Sequence, residues 1–464
     1  MRHGRLLRVS GSGGGRAGPS GGQAGRPAAP GPPVASAAPG GPRLQGPRFP
    51  GWRMVGVLAV TETVGYGALF YCFAVVLVPM RDDLGATTAQ ASGALSLSLA
   101  VSGLAAPLVG RWVDRHGARA LMTAGSVVAG VGVLAWSRAT TLLELYAAFV
   151  VVGLAGAAVL YEPAFAVVTA WFRDGRRRAL LVVTVVAGLS STVFLPLTQA
   201  LVERSGWRGA LVVLALLVGA CAVPHALVLR RGPADLGLAP DGAGLAPSAD
   251  DDAPPRGEAR SPADGAAAPV TPRLATPRGD APAGRPRSVH HLTVAAVLQA
   301  VATTTVTVHL VAHLQGSGVA PDHAALAAGA LGVMSVAGRL VFAGGARVGP
   351  ARAAATLLAG QALGVVALLA VPGTAGLVAF VVLAGAGFGV MTIARAALLG
   401  QYVPLTRYAS ASGRQALATT AGRVAAPLAG GAAITAVGSG PTFAAVAACS
   451  AAAAVALLAA ERAA

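Results

Sequence analysis

Long apolar stretches alternate with short polar or charged connections along most of this chain. Each stretch is close to the length of about 20 apolar residues that crosses the hydrocarbon core of a bilayer. Six of them lie before a long polar segment and six lie after it. We number these predicted helices as spans 1 to 12, and place them at residues 53–79, 89–110, 119–137, 142–171, 178–201, 208–229, 291–314, 324–345, 352–370, 374–400, 409–435 and 440–460.

The two polar segments have compositions that cannot bury a core. Residues 1–50 consist mostly of Gly, Pro, Ala and Arg without periodicity, and residues 231–290 are rich in Pro, Asp, Arg and Gly. Such composition is typical of disordered chain. We interpret the first as a disordered cytoplasmic tail, unless translation begins near Met54, and the second as a disordered cytoplasmic linker. Between them, residues 51–230 and 291–462 form two six-helix bundles, which suggests an internal duplication.

The amino-acid composition is typical of a membrane protein. The chain is 55% hydrophobic and only 11% charged, with a mean hydropathy of +0.66, whereas a soluble domain carries about 25% charged residues. The formal net charge of +17 does not indicate a nucleic-acid partner, because seven arginines lie in the N-terminal tail and most of the others lie at the borders of apolar stretches. We therefore expect a lipid bilayer as the surrounding medium.

The arginine-rich connections all fall on one side of the predicted membrane. The connections on the other side hold few arginines, and these are mixed with acids such as Asp82, Asp83, Glu144 and Glu203. The positive-inside rule puts the basic side in the cytoplasm. We therefore expect both termini and the linker to be cytoplasmic, in a multi-pass protein of a plasma membrane, specifically the inner membrane of a bacterium.

The connection between spans 2 and 3 carries a spaced motif. Residues 110–119 read GRWVDRHGAR, with Gly110, Asp114, Arg115, Gly117 and Arg119 at fixed positions. This run resembles the signature G-x-x-x-D-R-x-G-x-R of the major facilitator superfamily. The resemblance implies an all-α membrane protein with twelve transmembrane helices in two pseudo-symmetric six-helix bundles, and it implies that these five residues form a conformational latch.

Further runs resemble the monocarboxylate-transporter-like and bacterial efflux branches of that superfamily. They are Val64–Gly67 with Phe70–Tyr71 in span 1, and Arg423–Pro427 in span 11. Three features depart from the broader family. The second-half counterpart of the latch has Ala346 where an acid is expected, span 4 has no arginine, and span 5 lacks the Gly-Pro pattern of drug–proton antiporters. These departures argue against proton-driven multidrug export.

Ionisable residues within membrane spans are costly, so each one is a candidate for function. With two neighbouring tyrosines, the candidates for the substrate or proton pathway are Glu62, Tyr66, Tyr161, Glu162, His309, Arg395 and Arg423. The alternative is that the acids and arginines pair with each other and only hold the bundle together. Arg339 is expected to extend its guanidinium toward the interface, as arginines near helix ends do.

No pattern in the sequence indicates an enzyme. It contains no phosphate-binding Gly-Lys-Ser/Thr loop, no metal-spaced Cys or His cluster and no nucleophile elbow, so we expect no cofactor and no metal. The best interpretation is a gradient-driven secondary transporter that acts as a monomer by alternating access. The substrate is a small solute, an organic anion or an efflux substrate, with a proton as a possible coupled ion. The alternative is a non-transporting sensor or scaffold on a transporter fold.

Overall fold

The computed structural model describes residues 49–236, 238–242, 286–344, 349–403 and 405–464, and within them all twelve predicted spans are helical. Several spans consist of two helices that meet at a break. The bounds are, in order: span 1, Gly51–Tyr66, a π-helical turn Gly67–Tyr71 and Cys72–Asp83; span 2, Thr88–His116; span 3, Ala118–Arg138; span 4, Leu142–Val159 and Tyr161–Trp171; span 5, Arg176–Gly188 and the first part of Ser190–Ala220; span 6, the rest of Ser190–Ala220 and Ala222–Val228; span 7, Pro286–Gly316; span 8, Pro321–Gly344; span 9, Pro350–Ala370; span 10, Thr374–Phe388 and Val390–Tyr402; span 11, Leu405–Val437; span 12, Ser439–Arg462.

Most of these helices are able to cross a membrane by length and composition alone. Nine continuous helical stretches in the described residues meet that criterion. One of them, Arg178–Val228, is 51 residues long and turns at Gly206, whose φ of 68° and ψ of 172° lie outside the helical region. It therefore contains spans 5 and 6. The helices of spans 8 and 11 are 24 and 33 residues long, which is also enough to cross.

The connections define two faces of the molecule. We call the face that holds the turn at Gly117 and both ends of the 231–290 segment the linker face, and the other the opposite face. Glycines with positive φ, which residues with a Cβ rarely adopt, form many of the turns. On the opposite face these glycines are Gly85, Gly206, Gly318, Gly373 and Gly438.

The core consists of large apolar side chains between the helices. Trp136, Phe73 and Phe149 pack against one another in the first six spans, with ring centroids 4.7 to 5.9 Å apart. Trp136 also donates a hydrogen bond to the sulfur of Met80 at 3.0 Å. A separate cluster around Phe380 and Phe443 belongs to the last six spans, but it includes residues of spans 1 and 5. The apolar core is therefore continuous from one group of six spans to the other.

Spans 2 and 11 meet closely near the opposite face. A Cβ placed on Gly431 would lie 2.8 Å from the carbonyl oxygen of Thr88 and 3.0 Å from the Cα of Ala89. Two helical turns nearer the centre, the backbone N–H of Leu428 donates to the Ser96 hydroxyl at 3.0 Å. Glycine lets two helix backbones approach to this extent, so Gly431 sets the distance between these two spans.

Spans 5 and 8 form a second close contact between the two groups. The Thr192 hydroxyl donates to the carbonyl oxygen of Gly329 at 2.7 Å. A Cβ on Gly332 would lie 2.5 Å from the Ser191 hydroxyl oxygen and 2.6 Å from that of Thr192. We call the contacts of spans 2 with 11 and 5 with 8 the outer contacts.

The beginning of the predicted linker is attached to the first six spans. Residues 233–236 and 240–242 form short 3-10 turns, and the Asp241 carboxylate accepts N–H bonds from Arg173, Asp174 and Gly175 at 2.9, 2.7 and 3.1 Å. These bonds, of which the one from Asp174 has the largest effect, hold the pKa of the Asp241 carboxyl below its ordinary value. Most of the predicted tail (1–48), residues 243–285 of the linker and Ala346 lie outside the described residues.

Candidate functional site

Two spans lose regular helical geometry at the same place, and their tyrosines meet there. The π-helical turn of span 1 begins directly after Tyr66, and span 4 breaks at Leu160, where φ is −89° and ψ is −162°. The rings of Tyr66 and Tyr161 lie 4.8 Å apart. Single π-helical turns and breaks within membrane helices are frequent at functional sites, because the backbone groups they free need a polar cavity.

Two acids lie beside this tyrosine pair in different surroundings. Glu62 is fully buried, and neither of its carboxyl oxygens has a hydrogen-bond partner among the described residues. Glu162 is exposed. The two carboxyl groups are close enough to interact electrostatically. One acid is therefore enclosed within the first six spans, while the other faces open space.

Two arginines from the last six spans approach the same tyrosines. Arg423 of span 11 interacts electrostatically with Tyr66 and Tyr71. Arg339 of span 8 acts on Tyr71 and Tyr161. The Arg339 guanidinium also donates to the carbonyl oxygen of Thr184 in span 5 at 3.4 Å. We call Glu62, Tyr66, Tyr71, Tyr161, Glu162, Arg339 and Arg423 the central site.

Among the described residues, the structure shows no ion pair between the acids and the arginines of the central site. The ion pairs among the described residues are Arg81–Asp82, Arg208–Asp83, Asp322–His323 and Arg352–Glu461. All four lie near helix ends, and none involves a residue of the central site. In this state of the described chain, the positive groups of the site remain available to an anion.

Two further candidates lie apart from this cluster. His309 is fully buried, and its Nε2 lies 3.1 Å from the carbonyl oxygen of Pro427 in span 11. Gly430 leaves the space for this ring, since a Cβ there would lie 3.0 Å from it. Arg395 donates to the Thr419 hydroxyl of span 11 at 3.5 Å. Both side chains thus contact span 11, and their role in the pathway stays a prediction.

The predicted latch forms a turn at the linker face. Gly117 has a φ of 79° and packs against Arg231, whose Cγ would lie 2.9 Å from an added Cβ. The Arg231 guanidinium donates to the carbonyl oxygen of Arg115 at 2.8 Å, which ties the latch to the end of span 6. Asp114 is exposed. Among the ion pairs of the described residues, none includes Asp114, and the role of this motif as a latch stays a prediction.

The central site therefore contains five of the seven pathway residues expected from the sequence, together with Tyr71 and Arg339. Tyr71 stands within a run that resembles the family, but only its electrostatic interaction with Arg339 and Arg423 makes it a site residue. Arg339 donates to Thr184 and leaves its Nε buried without a partner, instead of extending toward the interface as expected. Nothing in the described residues groups three or more His, Cys, Asp or Glu side chains as a metal site would require.

Comparison with known proteins agrees with this architecture. The family model described as Major Facilitator Superfamily matches residues 63–374. Monocarboxylate transporter 1 of Bos taurus is 32% identical over 199 residues, which are 42% of this chain and 39% of that protein. Monocarboxylate transporter 3 of Rattus norvegicus is 36% identical over 191 residues, 39% of this chain and 38% of that protein. The chain thus matches about two fifths of the length of these relatives.

Solved structures share the fold at low sequence identity. The nucleoside transporter NupG superposes with a TM-score of 0.64 at 13% identity, covering 88% of this chain and 99% of that one. A bacterial homolog of the human lysosomal transporter Spinster, inward-facing and unoccupied, gives 0.62 at 14% identity, covering 90% and 96%. At such identities the match supports the arrangement of helices alone.

Proposed function

This chain belongs to the major facilitator superfamily, and from that premise we propose that it is a secondary transporter that carries a small organic monocarboxylate together with a proton. The family membership fits the expectation that the chain is not an enzyme, and its multiple apolar helices make it a multi-pass membrane protein. The finer parts of the proposal, namely the substrate class, the coupled proton and the motion, rest on the central site.

The observation that carries the substrate class is the convergence of Arg339 and Arg423 on Tyr71 from two different spans. Guanidinium groups bind carboxylates through paired N–H donors. A tyrosine hydroxyl beside them supplies one further donor. The names of the relatives, monocarboxylate transporters 1 and 3, favour an acid with one carboxylate. We assign the two arginines to the substrate carboxylate, and the Tyr66–Tyr161 pair to the contact with its organic part.

Glu62 supplies the proton in this proposal. An ionised carboxylate without a hydrogen-bond partner at this depth is costly, so the enclosed acid is held in its protonated, neutral form. Glu162 is nearby and exposed, and it provides a route by which that proton reaches open water. Alternation between the two surroundings then couples proton movement to substrate movement.

The present state is assigned as open toward the linker face. The contact of spans 2 and 11 at Gly431 lies near the opposite face, whereas Leu104 of span 2 and Leu417 of span 11, farther toward the linker face, are 79% and 73% exposed. A neighbour in the inward-facing state has the same fold. In the outward-facing state the latch would engage, with Asp114 binding a neighbouring helix end. That none of the ion pairs among the described residues includes Asp114 is consistent with that cycle.

Uptake into proteoliposomes tests the proposal. Purified protein should accumulate radiolabelled short-chain monocarboxylates when the proton gradient is directed inward, and Arg339→Gln or Arg423→Gln should abolish that uptake. Glu62→Gln should keep binding of the acid but remove the dependence on the proton gradient. The control is Arg414→Gln, an exposed arginine on the same helix as Arg423, which should transport at the wild-type rate.

Three outcomes would contradict these assignments. Uptake that survives both Arg339→Gln and Arg423→Gln would exclude the arginines as the carboxylate site. Binding of the acid without any flux would favour a sensor or scaffold on a transporter fold. Flux of an uncharged solute alone would retain a transporter but reject the anion.

We also propose that the linker face is cytoplasmic and that the protein acts as a monomer in a plasma membrane. The orientation is supported by the concentration of arginines on that face, as the positive-inside rule requires. A fluorescent protein fused after Ala464 should then mature and fluoresce, and a phosphatase fused there should be inactive. The reverse result would invert the orientation.

A further inference from the structure

A basic cleft lies at the linker face between the ends of spans 3 and 6, away from the central site. Arg119 contributes from the start of span 3, and Arg230 and Arg231 contribute from the chain that follows span 6. The residues that line it are His116, Arg119, Ala120, Thr123, Ala124, Ala226, Arg230, Arg231 and Asp235. Three arginines from two distant parts of the sequence thus converge on one concave surface.

The charge of this cleft is not neutralised from within. Asp235 is its one acid, and the Asp235 carboxylate accepts the N–H of Gly232 at 3.3 Å. Arg231 is fixed by its bond to the carbonyl oxygen of Arg115, and Arg230 donates to the carbonyl oxygen of Leu229 at 2.9 Å. Each guanidinium has five N–H donors, so most donors of the cleft remain for a ligand. The ligand that fits is an anion with several oxygen acceptors.

Below the cleft the two spans present an apolar surface to the outside. Val127 and Val131 of span 3 are 52% and 57% exposed, and Val223 and Leu227 of span 6 are 59% and 65% exposed. Val127 and Val131 follow Ala120 and Ala124 at spacings of three and four residues, and in span 6 Val223 and Leu227 are four residues apart in the helix that ends just before Arg230. Such spacing places side chains on one helix face. The apolar surface therefore continues from the cleft toward the middle of the membrane.

The equivalent position in the second half provides an internal comparison. There a cleft between spans 9 and 12 is lined by Arg352, Leu458, Glu461 and Arg462. The Arg352 guanidinium binds the Glu461 carboxylate at 3.1 Å. An acid of the protein thus pairs with one of the two arginines that line that cleft. In the cleft of spans 3 and 6, no ion pair of the described residues involves a lining arginine.

We propose that the cleft of spans 3 and 6 binds the phosphate of an anionic phospholipid, whose acyl chains lie along Val127, Val131, Val223 and Leu227. The positive charge of the cleft favours a phosphate group as its ligand. The apolar surface below the cleft favours a lipid over a free ion, because acyl chains can cover that surface. Basic side chains at a membrane surface each strengthen binding of anionic lipid by about fivefold. The ligand is distinct from the transported acid, because the cleft shares no residue with the central site.

Titration of the full-length protein with lipid, read by native mass spectrometry, tests this site. Phosphatidylglycerol should form a one-to-one adduct at lower concentration than phosphatidylcholine with the same acyl chains. The double variant Arg119→Gln with Arg230→Gln should weaken that adduct about 25-fold, which is fivefold for each arginine. The matched control, Arg111→Gln with Arg462→Gln, removes two arginines from the same face and should bind as the wild type does.

A second variant separates loss of the site from loss of folding. Ala226→Phe leaves every arginine in place but fills the wall of the cleft, and it should also weaken the adduct while an unchanged melting temperature shows that the protein is folded. The proposal is overturned if both lipids bind equally, or if the control loses as much affinity as the Arg119 and Arg230 variant. It is also overturned if inorganic phosphate displaces phosphatidylglycerol at equal concentration, since the ligand would then be a free anion.

Discussion

Substitution of Gly431 by Leu is expected to drive the protein out of the state described here. A Cβ at this position meets the carbonyl oxygen of Thr88 at 2.8 Å, the Cα of Ala89 at 3.0 Å and the N of Ala89 at 3.1 Å. All three atoms are backbone, so no side-chain rotation relieves the clash. Spans 2 and 11 must then separate near the opposite face, which in the proposed cycle is the movement that opens this face.

The size of the effect follows from the cost of overpacking. Extra carbons in a packed helix contact cost about 1–3 kcal/mol, and about 2 kcal/mol changes an equilibrium constant by about 30-fold. This cost falls only on the state in which spans 2 and 11 touch, because the other state has no such contact. A population that is mostly open to the linker face in the wild type should become mostly open to the opposite face.

Distances between spin labels measure this shift. In a background without native cysteines, one pair at Ala86→Cys and Gly440→Cys reports on the opposite face, and a pair at Arg111→Cys and Arg414→Cys reports on the linker face. Gly431→Leu should lengthen the first distance and shorten the second. Gly413→Leu is the matched control on the same helix, since a Cβ there meets nothing within 4 Å. Unchanged distances in folded Gly431→Leu protein would refute the assignment of this contact as a gate.

Three further predictions concern single contacts. Ser96→Ala leaves the Leu428 amide without its acceptor, a loss of about 1 kcal/mol, so the same spin-label pairs should shift in the same direction by about fivefold. Asp241→Asn should lower the melting temperature in detergent at neutral pH. The pKa of Asp241 is lower in the folded protein than in the unfolded chain, so the carboxylate stabilises the wild type at pH values above its pKa in the unfolded chain, and this stabilisation is lost as the pH falls through its pKa in the folded protein. The melting temperatures of the wild type and of Asp241→Asn should therefore converge in acid. A difference that stays constant with pH would contradict the role of the carboxylate. Gly130→Leu should destabilise by about 1–3 kcal/mol, because a Cβ there lies 3.1 Å from the Cα of Gly219, whereas Gly56→Leu, with nothing within 4 Å, should unfold at the wild-type temperature.

The helices were largely predictable because membrane spans are encoded by local composition. Hydrocarbon requires a long apolar run in each crossing, and charged connections mark its ends, so all twelve positions agree with described helices. The motif at Gly110–Arg119 indicated the family for the same reason, because all of its fixed positions lie within one short stretch of sequence. Both belong to short continuous stretches of the chain.

The site was less predictable because it depends on contacts between distant residues. Arg339 stands five residues before the end of its helix, which suggested an interfacial side chain, and only the fold brings it to Tyr71 and Tyr161. The sequence places His309 along the pathway, which stays a prediction, but it does not show the bond to Pro427, which spans 118 residues of sequence. The break at Leu160, by contrast, is marked locally by Pro163, which has no N–H to donate to the carbonyl oxygen of Val159. Long-range geometry decides the contacts of Arg339 and His309.

The break at Leu160 has a consequence for hydration. A helix that loses its regular bonds in the middle of a membrane leaves backbone N–H and C=O groups that lipid cannot satisfy. Because Glu162 is exposed, we expect water to reach the break in this state and to bind the freed backbone groups. In the proposed function, an arriving carboxylate would then displace solvent at the break, and release of such water would contribute to its affinity.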